Sequence, residues 1–125
     1  MRKTIASLCS VAALTAGCAS SGPAVTSQQV TDTEVAIRAA ENAGANEMGA
    51  DLLARSRKAL AAARQAISRG DNDEARRQIA EAKAFAAAAS ARATAEKSRR
   101  QAAKLKQQAD ELESRAKQIQ ERARQ

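Results

Sequence analysis

The sequence predicts an all-α protein: a helical hairpin or short three-helix arrangement, from which a long C-terminal helix projects as a candidate coiled coil. Three observations lead there. Hydrophobic residues make up 44% of the chain, but most are alanine and the one aromatic residue is Phe85. Burying alanine recovers far less than burying leucine at about 25 cal/mol per Å², so closely packed long helices suit this composition better than a thick globular core. Apolar residues recur at three-four spacing over residues 53–67 and again from residue 75 onward, which is the period of a helix face. From Asn72 to Gln125 there is neither glycine nor proline, and Ala, Glu, Gln, Lys and Arg all have high helix propensity.

The first element, residues 1–17, reads as an export signal. Met1-Arg2-Lys3 is basic, and Thr4 to Leu14 is an apolar run too short to span roughly 30 Å of hydrocarbon as a permanent helix. Leu14-Thr15-Ala16-Gly17-Cys18 closes it. Small residues directly before a cysteine resemble the bacterial lipoprotein cleavage site, although Thr15 stands where leucine is usual and Leu14 lies one place earlier. The resemblance implies cleavage before Cys18, a diacylglycerol on its thiol and an acylated amine. A lipid-anchored chain is expected, with no further cofactor. Ala19, rather than Asp, after the cysteine implies the periplasmic face of the outer membrane over retention at the inner membrane. Cys9 falls in the discarded segment, so no disulfide is expected.

Residues 18–29 follow as a lipidated tether, uncharged and holding the single proline, Pro23. The helical hairpin domain is placed at residues 30–97. Thr31-Asp32-Thr33-Glu34 has the form of a capping box and predicts a first helix running to Ala43, before Gly44. Asn46 is the expected cap of a second helix carrying Leu53, Ser56, Leu60, Ala63 and Ile67 on one face, ended by Gly70. Asp71, with Glu74 three residues on, caps a third helix of about fifty residues, roughly 75 to 80 Å long. Gly70-Asp71 reads as the turn of an αα-hairpin that packs the second helix along Ala75, Ile79, Ala82, Ala86 and Ala89. Phe85 is expected to fill the widest gap between helices.

The second helix covers the third only to about Ala95, so residues 98–125 project. There Ala102, Leu105, Ala109, Leu112, Ala116, Ile119 and Ala123 repeat at strict three-four spacing. Lys104, Lys106, Asp110, Glu111, Glu113, Arg115, Lys117, Glu121 and Arg122 flank this seam with mixed charge, as on the solvated sides of a coiled coil. Leu105, Ala109, Leu112, Ala116 and Ile119 are therefore the candidate partner-binding residues. A second copy or another envelope protein would cover them; the alternative is a solvated helix held by propensity and charge pairs.

These features resemble the small bacterial lipoproteins of domain-of-unknown-function family 4398. The resemblance covers roughly residues 18–97: the lipobox, Ala36 to Ala45 ending in Gly44-Ala45, Leu53 and Leu60 at seven-residue spacing, Gly70-Asp71, and the alanine-rich run from Ala75 to Ala95. Members often begin the second helix with Tyr-Ala-Pro, where Met48-Gly49-Ala50 stands here. The resemblance implies an envelope location and an undefined role. The chain is also similar to the murein lipoprotein, another lipidated, heptad-bearing helix. That protein joins peptidoglycan through a terminal lysine, whereas Arg122-Ala123-Arg124-Gln125 gives no expectation of such a bond.

Composition argues against catalysis. There is no histidine, no unlipidated mature thiol and no glycine-rich phosphate loop, and Ser56, Ser68, Ser90, Ser98 and Ser114 lack a base. No metal site is expected, because Asp71, Asp73 and Glu74 fit a helix cap and lack the other ligands of a calcium loop. The formal charge is +7, or +5 once Arg2 and Lys3 leave with the signal. Basic pairs such as Arg76-Arg77 and Arg99-Arg100 do not read as a nucleic-acid surface in an exported chain almost without aromatics. The same charge could make weak contacts with peptidoglycan carboxylates or anionic headgroups. The expectation is a non-enzymatic envelope lipoprotein acting as a structural, spacer or docking element, with peptidoglycan or anionic-surface binding as the alternative.

Overall fold

Four helices form in the computed structural model, which describes residues 22–125: α1 (Ser27–Asn42), α2 (Ala45–Met48), α3 (Ala50–Ser68) and α4 (Asn72–Ala123). The expected signal segment, Cys18 and the first part of the tether lie outside the described residues. No strand occurs among the described residues, and the long C-terminal helix is present as α4.

The first helix starts earlier than expected. Thr26, not Thr31, is its cap: Gln29 N donates to Thr26 Oγ1 at 3.3 Å, and Thr26 N donates to Gln29 Oε1 at 2.9 Å. The pattern that makes a capping box occurs twice in succession, and the earlier one prevails because it places Val25, Val30 and Thr33 against the core. Thr31 is an ordinary helical residue whose hydroxyl donates to Ser27 O, and Glu34 is released to pair with Arg64 of α3. The tether is shorter in consequence, and its end is held down by Arg76 Nη1, which donates to Pro23 O at 2.7 Å.

The second expected helix is divided. Gly44 is left-handed at φ +95°, α2 is a single turn, and α3 begins after Gly49. A Cβ at Gly49 would lie 3.0 Å from Ala89 O and 3.3 Å from Ala89 Cα, so the chain passes α4 here closer than an ordinary side-chain contact, a close approach that glycine permits. From Ala50, α3 buries Leu53, Ser56, Ala59, Leu60, Ala63 and Ala66. Ile67, expected on the buried stripe, remains 37% exposed. The buried stripe ends instead on Ala66, and Ile67, one residue on, is turned about 100° off it.

The hairpin forms as the sequence predicts. Gly70 has φ +74°, Asp71 N donates to Ala66 O at 2.9 Å and Gly70 N to Ile67 O at 3.0 Å, the two bonds of a Schellman motif. Asp71 Oδ1 then accepts from Glu74 N at 3.0 Å. Beyond this cap Ala75, Ile79, Ala82, Ala86, Ala89 and Ala93 are buried. Ten of the fourteen buried hydrophobic residues are alanine, which lets helices approach closely and leaves no wide gap to fill. Phe85 therefore sits on the flank of the stripe, half-buried, with the Arg55 guanidinium 5.8 Å from its ring centroid. One polar bond ties the two long helices inside: the Ser56 hydroxyl donates to Ala82 O at 2.7 Å.

Helix α1 runs antiparallel to α3. Glu34 with Arg64 and Glu41 with Arg57 form ion pairs one heptad apart in both helices, so they share one register. The bundle thus goes up, down and up. The described N-terminal segment lies beside Arg76 at the hairpin end, and Gly44 lies beside Lys97 at the other.

Candidate functional site

Past Glu96 every residue of the chain is exposed. The free part of α4, residues 97–123, is about 40 Å long at 1.5 Å per residue and leaves the bundle at the end opposite the N-terminal segment. It stays helical without tertiary cover because its sequence supports the backbone locally. Alanine, glutamine and lysine dominate it. Glu113 pairs with Lys117 at 2.7 Å, Glu96 with Arg99 at 2.8 Å, and Gln107 donates to Glu111 at 3.2 Å.

All five sequence-predicted seam residues lie on this segment. Leu105, Leu112 and Ile119 are 66%, 64% and 67% exposed, and Ala109 and Ala116 are exposed between them. With Ala102 and Ala123 they make one apolar face in which a small and a large residue alternate. Arg99, Lys106, Glu113 and Gln120 border it on one side; Gln101, Gln108, Arg115 and Arg122 border it on the other.

Sequence reasoning missed a division of charge. Residues 22–96 hold ten basic and ten acidic side chains, and residues 107–125 hold four of each. Residues 97–106 hold five basic ones, Lys97, Arg99, Arg100, Lys104 and Lys106, and no acid. The whole excess of the described chain is a collar at the mouth of the bundle. Lys97, Arg100 and Lys104 line one shallow depression with Gln101. A running charge sum over ten residues would have located the collar without a structure.

Elsewhere the titratable groups serve the fold. The Glu74 carboxyl is held below its usual pKa by the Gln78 amide at 2.7 Å and then by the Arg77 guanidinium at 2.6 Å, and Arg77 is raised in return. Glu74 belongs to the first turn of α4, where an acid also suits the helix dipole. A shallow groove of about 410 Å³ between α3 and α4 is lined by Arg55, Lys58, Gln78, Glu81 and Phe85. Among the described residues no group of three or more Cys, Asp or Glu is placed to hold a metal ion, and no helix is long and apolar enough to cross a membrane.

A family model described as a domain of unknown function, DUF4398, matches residues 28–105. The match takes in the bundle and all of the collar except Lys106, and it ends at the first leucine of the seam. No match was found among curated proteins or among solved structures.

Proposed function

We propose, on the premise that the chain belongs to the DUF4398 family, that it is a non-enzymatic lipoprotein of the bacterial envelope, anchored through Cys18 and acting as a spacer or docking element by helix-helix contact. The observation that supports this is the exposed seam of Leu105, Leu112 and Ile119, carried past the end of the bundle on a helix with no partner among the described residues. Three large aliphatics at about two-thirds exposure on one face, beside an interior made mostly of alanine, are an unusual use of the few large apolar residues present. The lipobox-like Leu14 to Cys18 and the following Ala19 support outer-membrane anchorage facing the periplasm.

Two measurements test the reading. Intact mass of the protein from a membrane fraction should exceed that of the chain from Cys18 by a diacylglycerol and a fatty acyl group, and Cys18→Ala should remove the gain. A photo-crosslinking residue placed at Leu112 in cells should give a defined adduct, while the same residue at exposed Lys58 gives none. An unlipidated chain overturns the anchor, and absence of an adduct at Leu112 overturns the docking role. The alternative, binding to peptidoglycan or anionic lipid, is favoured by the collar at residues 97–106. Co-sedimentation with peptidoglycan that falls steeply with salt and survives Leu112→Asp would support it.

A further inference from the structure

We infer that the seam pairs with the same seam of a second copy of this chain, antiparallel, with Ala102 level with Ile119, Leu105 with Ala116, and Ala109 with Leu112. This rests on the docking reading and names its partner. The first argument is volume. A parallel pair in register would stack alanine on alanine and leucine on leucine in alternate layers, and one helix separation cannot suit both. An antiparallel pair sets each alanine against a leucine or isoleucine. All six layers then have the same composition, and the helices can lie close along the whole seam.

Charge selects the register. In the stated alignment Lys106 of each copy faces Glu113 of the other, twice by symmetry, and the remaining border contacts match Arg99 with Gln120, Gln101 with Arg122, and Gln108 with Arg115. No like charges meet across the border. Sliding one heptad toward the bundle sets Lys106 against Lys106, leaves Ile119 level with Ala95 and drives the tip into the other bundle. Sliding one heptad outward keeps six layers, with Leu105 level with Ala123, but sets Glu113 against Glu113 and Arg115 against Arg115. The chosen register also uses the free helix fully, since residue 97 lies level with residue 124.

Six layers cover about 26 Å at 1.5 Å per residue, fewer than a self-sufficient coiled coil employs, so association in the micromolar range is expected. The collar of each copy lies near the tip of the other, where Arg122 and Arg124 are also positive. Salt screens this repulsion and the two Lys106–Glu113 pairs alike, so it should change the affinity little, unlike binding to an anionic surface.

The test uses residues 19–125, which contain every described residue and no cysteine apart from those introduced. Light scattering across concentration should show a dimer. Spin labels at Thr94→Cys should lie about 50 Å apart along the axis, and at Ser114→Cys about 10 Å. Glu113→Lys should weaken the dimer by about three- to thirtyfold, and the double exchange Lys106→Glu with Glu113→Lys should restore it. Equal label separations at the two sites, or failure of the double exchange to restore, would overturn the antiparallel register. A monomer at all concentrations would overturn self-pairing; if Leu112 still gave an adduct to another protein in cells, the docking reading would stand without it.

Discussion

Two glycines should fail for different reasons when replaced by alanine, and the difference tests how closely the helices approach. At Gly49 φ is −153° and ψ 28°, so the backbone lies outside the left-handed region. The obstacle is Ala89, whose carbonyl oxygen and Cα would stand 3.0 and 3.3 Å from the new methyl. Both are backbone atoms of α4 and cannot rotate away, so α3 and α4 must separate by a few tenths of an ångström. Overpacking of this kind costs about 1–3 kcal/mol, and alanine as a helix cap adds to it. At Gly70 there is nothing within 4 Å, but φ is +74°, and the left-handed backbone costs a residue with a Cβ about 1–2 kcal/mol. Asparagine tolerates that conformation, so Gly70→Asn should recover much of the loss while Gly49→Asn recovers none. Thermal melts followed at 222 nm should fall by about 4–8 °C per kcal/mol for a bundle of this size. A Gly49→Ala protein as stable as the parent would show that α3 and α4 do not meet at Ala89, and the alanine-contact account of the core would fail with it.

Other expectations follow from the same packing. Leu112→Asp should raise the dimer dissociation constant by at least a hundredfold in light scattering, because two side chains each lose most of about 1.5–3 kcal/mol and two carboxylates are buried in exchange; the bundle melt should not move. Ser56→Ala should cost about 0.5–1.5 kcal/mol in urea unfolding, since the bond to Ala82 O is lost without opening a large cavity. Glu74 has a lowered pKa in the folded state, through Gln78 first and Arg77 second. Its contribution to stability is therefore present above the unfolded carboxyl pKa and lost as pH falls through the lowered folded value. Glu74→Gln should flatten the acid side of the urea midpoint plotted from pH 6 to pH 2 and leave a smaller difference at its lower end.

How far the sequence revealed this fold depended on whether a signal was local. Gly70-Asp71 announces the hairpin because a left-handed glycine and a capping carboxylate act over a few residues, and the stripe from Ala75 to Ala89 follows from helical period alone. The start of α1 was ambiguous locally. Thr26 with Gln29 and Thr31 with Glu34 are equivalent capping patterns, and only the burial of Val30 and Thr33 against the other helices separates them. The break at Gly49 is a tertiary event: nothing in Met48-Gly49-Ala50 states that Ala89 will pass beneath it. Phe85 departs from expectation for a related reason: alanine-to-alanine contact closes the gap that a large side chain would fill, and the ring lies on the flank beside Arg55. The seam residues were legible because exposure of Leu105, Leu112 and Ile119 requires only that α3 be shorter than α4. The collar was present in the sequence but averaged away in the net charge.

Antiparallel pairing has a consequence for how an anchored molecule would sit. The described N-terminal segment is docked beside Arg76, and the few residues between Cys18 and Gly22 span at most about 14 Å even when extended. In the paired register the two Arg76 positions are about 100 Å apart along the axis and at opposite ends. Two anchors in one bilayer therefore oblige the dimer to lie along it, which brings the collars at residues 97–106 toward the headgroups, whereas a monomer can hold its tip about 70 Å from its anchored end. Lipidated protein on a single bilayer, with a fluorophore at Ser114→Cys and a quencher in the headgroup layer, separates these states. Strong quenching that is lost on Leu112→Asp is expected of the paired form, and it should deepen with anionic lipid because the collar then has a counter-surface. Quenching that is equally weak in parent and variant would mean that the helix stands away from the membrane whether or not its seam is intact, and the antiparallel dimer could not be the anchored state.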